Sequence, residues 1–534
     1  MKKIIIGLSA LLLFVSCETF ELENDLQNPN ELTISQADND KLLNNVQVNF
    51  KDLFRGATSI GMNLTRMAKI SGGADASNYD NFVNPGDFYT DMMWESYYEV
   101  LFTAETLRKS TAGKNLYHHD AISQVLEGYT LLTLVDYFGN VPYSEAFKGI
   151  ENLNPKFDKD SDVYAVAIQM LKDAKVNFAK TPLSKPKNDI YYNNNVTKWT
   201  KLTNSLLLKA YLNTGNTAEL TTLISENNFI GIGEDFVFTF GTNTSNPDNR
   251  NPFFVNNYAQ APEDYMSTYF MWAINLEKGD LPDPRRRYYF YRQISDVQAS
   301  ANSSVLPCST QAYPNHYQAG TPFCYLDYGY WGRDMGNSDG IPPDTSMRTV
   351  WGVYPFGGRF DDSSFEEVGS ENGQKGKGYY PIMLSNYVDF MKAEIAQRFG
   401  IGGSAETHLI NAVDKNLRYV KDLFPQSGTG VMTEAQITSY KNLVSNLYSS
   451  SSNKLSVVMK EFYLGAFGNG IEAYNMYRRT GYPNNMQPML QANPGAYPLS
   501  LKYPSASVEN NSNAQQKPNN TVKVFWHTGT FNLY

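Results

Sequence analysis

Histidine and cysteine are scarce in this chain, at five and three among 534 residues. The histidines, His118, His119, His316, His408 and His527, fall in no H-E-x-x-H pattern, so a zincin-type metal site is excluded. A G-x-S-x-G elbow and a P-loop are likewise missing. Gly373-Gln-Lys-Gly-Lys-Gly has neither the P-loop spacing nor its Ser/Thr. Positive charge is in deficit: 45 Lys and Arg face 54 Asp and Glu, a formal charge of −9. Such a chain repels nucleic acid and gains nothing from anionic lipid. After the first sixteen residues no apolar run is long enough to span a bilayer. What is abundant is aromatic: 14% of residues, with 37 tyrosines. Tyrosine joins a flat apolar face to a hydroxyl, which suits wet binding surfaces as well as helix packing.

The N-terminus carries the clearest signal. Met1-Lys2-Lys3 is basic, and Ile4 to Val15 is apolar, the plan of a secretory signal peptide. It ends Phe14-Val15-Ser16-Cys17, which resembles a lipobox, so residues 1–16 are expected to be removed and Cys17 lipidated. Stable anchoring needs more than one acyl chain, as a lipobox cysteine carries. Removing residues 1–16 takes two lysines and no acid, moving the charge from −9 to −11. Residues 17–33 are expected to be a tether, with Glu18, Glu21, Glu23 and Asp25 and no basic residue before Lys41. The acidic run also resembles the export signal of some cell-surface lipoproteins. Cys308 and Cys324, sixteen residues apart in a Gly/Pro/Ser-rich stretch, can pair in an exported protein or remain two buried thiols. A bridge closing that loop contributes about 3 kcal/mol.

Residues 34–534 read as one mainly α domain. Apolar stripes at offsets of three and four predict helices over 119–138 and 161–179, and around Trp199–Ala210, Val388–Phe399 and Leu455–Ala466. The helical scaffold is expected over about 34–228 and 381–483. Between them, 229–380 is rich in Gly, Pro, Asn, Asp and aromatics, with one candidate strand at Val237–Phe240. A long irregular span of that composition is more often functional than disordered.

Four segments carry a family resemblance: Leu131 to Ala146, with Asp136, Gly139, Pro142 and Tyr143; Trp199 to Lys209; Trp331 to Asp344, running on to Trp351–Gly358; and Asn469 to Pro483, with Glu472, Arg478 and Arg479. In this order they resemble the SusD/RagB family of nutrient-binding outer-membrane lipoproteins, in its SusD-like branch. The resemblance implies a scaffold of tetratricopeptide-type helix pairs with a large loop-rich insertion. It also implies a non-enzymatic role: capturing oligosaccharides, or peptides, as the lid of a SusC-like TonB-dependent transporter.

A sugar offers an apolar face and a rim of hydroxyls, so its site needs exposed aromatic planes beside polar side chains. Tyr79–Tyr98 and Tyr325–Asp334 supply both. From them, Trp94, Tyr330 and Trp331 are the candidates for stacking, and Asp80, Asn81, Arg333 and Asp334 for polar contacts. Trp94 with Tyr97 and Tyr98 also has the spacing of a core helix face. Asp334, Asn337, Asp339 and Asp344 offer oxygen ligands for calcium without EF-hand spacing; loop carboxylates are more often solvated or capping. No other cofactor is expected. A glycoside hydrolase, which needs only two carboxylates about 5–10 Å apart, stays open as an alternative, as does an adhesin or scaffold that binds no nutrient.

Overall fold

Apolar residues recurring every third or fourth position make helices wherever capping lets them start, and the chain does this at both ends. The computed structural model describes residues 37–69, 88–259, 264–279, 281–297, 306–337 and 347–530. The signal segment, Cys17, the tether, Asp80, Asn81, Asp339 and Asp344 lie outside the described residues.

The first half contains α1 (Asn39–Leu64), α2 (Phe88–Thr111), α3 (Tyr117–Phe138), α4 (Asp160–Phe178), α5 (Val196–Thr214) and α6 (Thr217–Glu226). Asp38 starts α1 by accepting the Asp40 and Lys41 N–H groups, and Asn195 starts α5 by accepting that of Lys198. At α4 the start falls at Asp160, so Ser161 and Asp162 occupy the first turn rather than a cap. Helix α3 is buried along nearly its whole circumference, the mark of a central element. It stops at Phe138, with the Gly139 N–H on Val135 O. Each of these helices packs on the next in sequence, as helix pairs do.

The loop-rich region follows. It includes β1 (Phe236–Thr239), α7 (Thr268–Asn275), α8 (Arg286–Tyr289), β2 (Phe290–Tyr291), β3 (Val350–Trp351) and β4 (Tyr379–Met383). Antiparallel pairing of β1 with β4, Phe238 facing Tyr380, zips the two ends of the region together. The whole excursion therefore leaves and rejoins the scaffold at one place. Within it, β2 pairs with β3, Phe290 opposite Trp351.

The second half adds α9 (Ser385–Phe399), α10 (Ala405–Leu423), α11 (Glu434–Ser450), α12 (Lys454–Gly465) and α13 (Gly470–Thr480). These also stack in order, and α13 closes the body by crossing α1. The crossing is backbone on backbone. A Cβ on Gly61 would lie 2.2 Å from Gly470 O, and one on Gly470 would lie 2.2 Å from Met62 N. The Gly470 N–H also donates to Thr58 Oγ1 at 2.6 Å.

Three of the four segments that carried the resemblance meet in this core. Asp136 Oδ2 accepts Asn475 Nδ2 at 2.6 Å, and its Oδ1 accepts Trp526 Nε1 at 2.9 Å. Arg478 donates to the backbone oxygens of Asp136 and Leu499 and lies over the Tyr474 ring. Lys209 forms a buried pair with Glu472. Arg479 grips Glu394 through two bonds of 2.8 and 2.7 Å. Burial would raise the Glu394 carboxyl, but Arg479 and Arg398 hold it below the usual range. A buried ion pair is costly to break from one side, so these motif residues fix how the two halves dock. Among the described residues, no helix is long and apolar enough to cross a membrane.

Candidate functional site

Three consecutive arginines follow Pro284, and each does something different. Arg285 is fully buried, with its guanidinium on Asp283 and Asn416. Arg287 reaches outward to Asp361 O and Ser363 Oγ at 2.7 and 2.9 Å. Arg286 lies between them, partly buried. Its guanidinium makes no hydrogen bond or ion pair among the described residues. It borders a cleft of about 400 Å³ lined also by Asn275, Leu276, Arg292, Asp327, Tyr328 and Tyr330.

A tight hairpin forms the opposite wall. Leu326 and Tyr330 bridge antiparallel, and the Leu326 N–H donates to Tyr330 O at 3.0 Å. At its tip Tyr328 has φ +65° and Gly329 φ +83°. Glycine is required at 329, because a Cβ there would sit 1.9 Å from Ile294 O. At 328 a bulky residue is held in the left-handed region, a conformation that costs about 1 kcal/mol or more and clusters at binding sites. The Tyr328 side chain is 72% exposed.

Arg292 holds the hairpin in place. It donates to Asp361 Oδ2 at 2.6 Å and Oδ1 at 3.2 Å, and to Tyr328 O at 2.7 Å. Its guanidinium also lies 5.0 Å from the Tyr330 ring and 5.1 Å from that of Phe365. Tyr330 thus lines the cleft but lends its face to Arg292, and is only 4% exposed. Burial pushes its hydroxyl up against the pull of Arg292 and Arg286, so the phenol stays neutral. A second cavity, near Glu277 and Lys460, differs in kind. There Lys460 pairs with Glu277 at 2.7 Å and Lys278 with Glu461 at 3.0 Å.

The remaining described candidates are packed inside. Trp331 is fully buried against Val297, Leu306, Cys308 and Cys324. Trp94 packs on Phe138 and Tyr98 at ring distances of 4.9 and 5.0 Å, the core helix face its spacing allowed. Neither has a face left for a sugar. Arg333 is buried against Tyr265, with Nη1 on Asn337 Oδ1. Asp334 is buried too, and its Oδ2 accepts the Tyr317 hydroxyl and the Cys324 N–H. Burial pushes its carboxyl up to about 6, the reverse of what a cation ligand needs. No cluster of three His, Cys, Asp or Glu residues suited to a metal occurs among the described residues. Cys308 and Cys324 are joined by a disulfide, which ties the strand leading into the hairpin to the segment before it.

Of the described candidates, Tyr330 alone lines this cleft, and Trp94, Trp331, Arg333 and Asp334 do not. Tyr328 was marked only by the glycine after it, and Arg286 only by the Arg285–Arg287 run.

The family model described as "Starch-binding associating with outer membrane" matches residues 29–310 and 352–504, most of the chain. The chain belongs to the SusD-like family. Its fold is that of solved SusD homologues. A Bacteroides fragilis SusD homologue is 20% identical, with a TM-score of 0.66, covering 93% of this chain and 100% of that one. A SusD/RagB family protein from Bacteroides thetaiotaomicron gives 18%, 0.66, 92% and 100%. A chitin-binding SusD homologue from Flavobacterium johnsoniae gives 17%, 0.61, 91% and 97%. No curated protein sequence matches the chain. As a SusD-like protein it is mainly α, and the motif residues Asp136, Lys209, Glu472 and Arg478 serve its scaffold.

Proposed function

We infer that this SusD-like protein is an outer-membrane lipoprotein, anchored through Cys17, that captures an oligosaccharide in the Tyr328 cleft. It then passes the glycan to a SusC-like TonB-dependent transporter, for which it serves as the lid. The observation that carries the ligand reading is Tyr328 itself. It is an exposed aromatic plane, held in a strained backbone state over a cleft with charged and amide side chains, the pairing a pyranose needs. The family's starch-binding description and the chitin-binding relative support a glycan over a peptide. Nothing in the cleft requires catalysis, and the role proposed is capture without bond cleavage.

Titration of the full chain, purified in detergent, against a glycan panel tests this reading by calorimetry. Tyr328→Ala is expected to weaken whichever glycan binds by about tenfold or more, the worth of one well-placed ring contact. Unchanged affinity would move the site elsewhere, and release of reducing sugar would make the protein a hydrolase.

A further inference from the structure

We propose that the Tyr328 cleft is built for an acidic sugar, one bearing a carboxylate or sulfate that Arg286 receives. This rests on the glycan-binding reading of the same cleft and narrows it to a substrate class.

The argument is one of charge balance at named groups. Three guanidiniums border the cleft, those of Arg286, Arg287 and Arg292. Among the described residues, Asp361 is the buried carboxylate in contact with two of them, and it is committed. Arg292 takes both of its oxygens, and Arg287 approaches its Oδ1 at 3.9 Å. Asp283, the nearest carboxylate in sequence, is held by Arg285. Asp327 lies on the rim, exposed to water. Arg286 is left with an unanswered positive charge in a partly enclosed place, within a chain whose formal charge is −9. Withdrawing a guanidinium from water without a partner is unfavourable. A neutral sugar covering it would replace water with hydroxyl hydrogen bonds and leave the charge uncompensated. An anion compensates it, because the planar fork of arginine matches a carboxylate or sulfate with two parallel hydrogen bonds.

Position agrees with charge. Arg286 and Tyr328 line one cleft, so a pyranose stacked on the ring can direct an acidic substituent toward the guanidinium. Arg286 also borders a smaller cleft with Pro284, Gly430 and Gln436, of about 200 Å³. A chain of sugars can therefore run past it in either direction. The other cavity described above, whose lysines are already paired with glutamates, lacks this imbalance.

The test uses the full chain in detergent and four probes: an oligogalacturonate, a sulfated galactan oligosaccharide free of uronate, a malto-oligosaccharide and a chito-oligosaccharide. The expected result is binding of one of the two acidic probes, which also tells carboxylate from sulfate. Its affinity should fall as salt is raised and drop about ten- to hundredfold in Arg286→Gln, the range for a lost charged hydrogen bond. Arg286→Lys should recover part of it. Arg286 makes no contact that the fold depends on, so the variants should melt with the wild type. If a neutral probe binds at least as tightly, sensitive to Tyr328→Ala and not to Arg286→Gln, the acidic-sugar proposal fails while the glycan reading stands. Binding of an acidic probe unchanged by Arg286→Gln would overturn it as well. If none of the four binds, the glycan reading of the cleft falls and takes this proposal with it.

Discussion

Tyr328 bears a cost that glycine, with no Cβ, would not bear at the same place. With φ at +65°, Tyr328→Gly should leave the protein as stable or about 1 kcal/mol more stable in denaturant melts, while ligand binding is lost. A residue that is expendable for the fold and needed for the ligand is what a site looks like; a clear loss of stability would instead make the ring structural. Asp334 shows the opposite kind of tension. Burial lifts its carboxyl from 3.8 to about 6. The folded state therefore holds this proton more tightly than the unfolded chain. The stability it contributes is complete below about pH 4 and is lost as pH rises through 6, about 3 kcal/mol in all. Asp334→Asn has no such titration. Wild type should lose that amount relative to the variant between pH 4 and 7.5 in paired urea melts, and parallel profiles would show that the carboxyl ionises normally.

At the scale of elements, the disulfide and the hairpin belong together. Cys324 lies two residues before Leu326, where the hairpin begins, and its bridge to Cys308 packs on Trp331, just beyond the hairpin's end. Removing it in Cys308→Ser with Cys324→Ser should lower stability by about 3 kcal/mol by chain entropy. It should also weaken ligand binding at temperatures where the protein stays folded, because the hairpin loses its footing. Equal affinity in the double variant would uncouple the two. The helices themselves were legible where a stripe of apolar residues ran unbroken, as in α3, α4, α5, α9 and α12, with ends displaced by up to four residues. Helices α1, α6, α10 and α11 were not read, though α10 too buries Leu409, Val413, Leu417 and Val420 on one face. The site was legible only as a segment. A tyrosine at +65° has no signature in composition or periodicity, and the aromatic that draws the eye, Trp331, is large enough to be the core of its own small cluster.

For the molecule as a whole, the motif residues explain why kinship was easier to read than cargo. Asp136, Lys209, Glu472 and Arg478 join segments up to hundreds of positions apart in one buried network. Any chain with this fold meets the same docking problem, whatever it binds. Residues of the cleft answer to a ligand instead and carry no such common pattern. The anchor is separable from both. In cells, Cys17→Ala should abolish glycan uptake while the purified full chain binds its ligand with unchanged affinity. Uptake that persists would remove the lipid from the proposed mechanism.

The crossing of Gly61 and Gly470 has a consequence in time. Thr58 meets the Gly470 amide 412 residues further along the chain, and Trp526 completes the Asp136 network later still. A ribosome making this protein finishes α1 and its neighbour α2 long before α13, the helix that crosses α1, exists. The crossing and the Asp136 network thus stay incomplete until α13 and Trp526 have been made. A body that cannot close on α1 before α13 exists suits the export proposed for this protein.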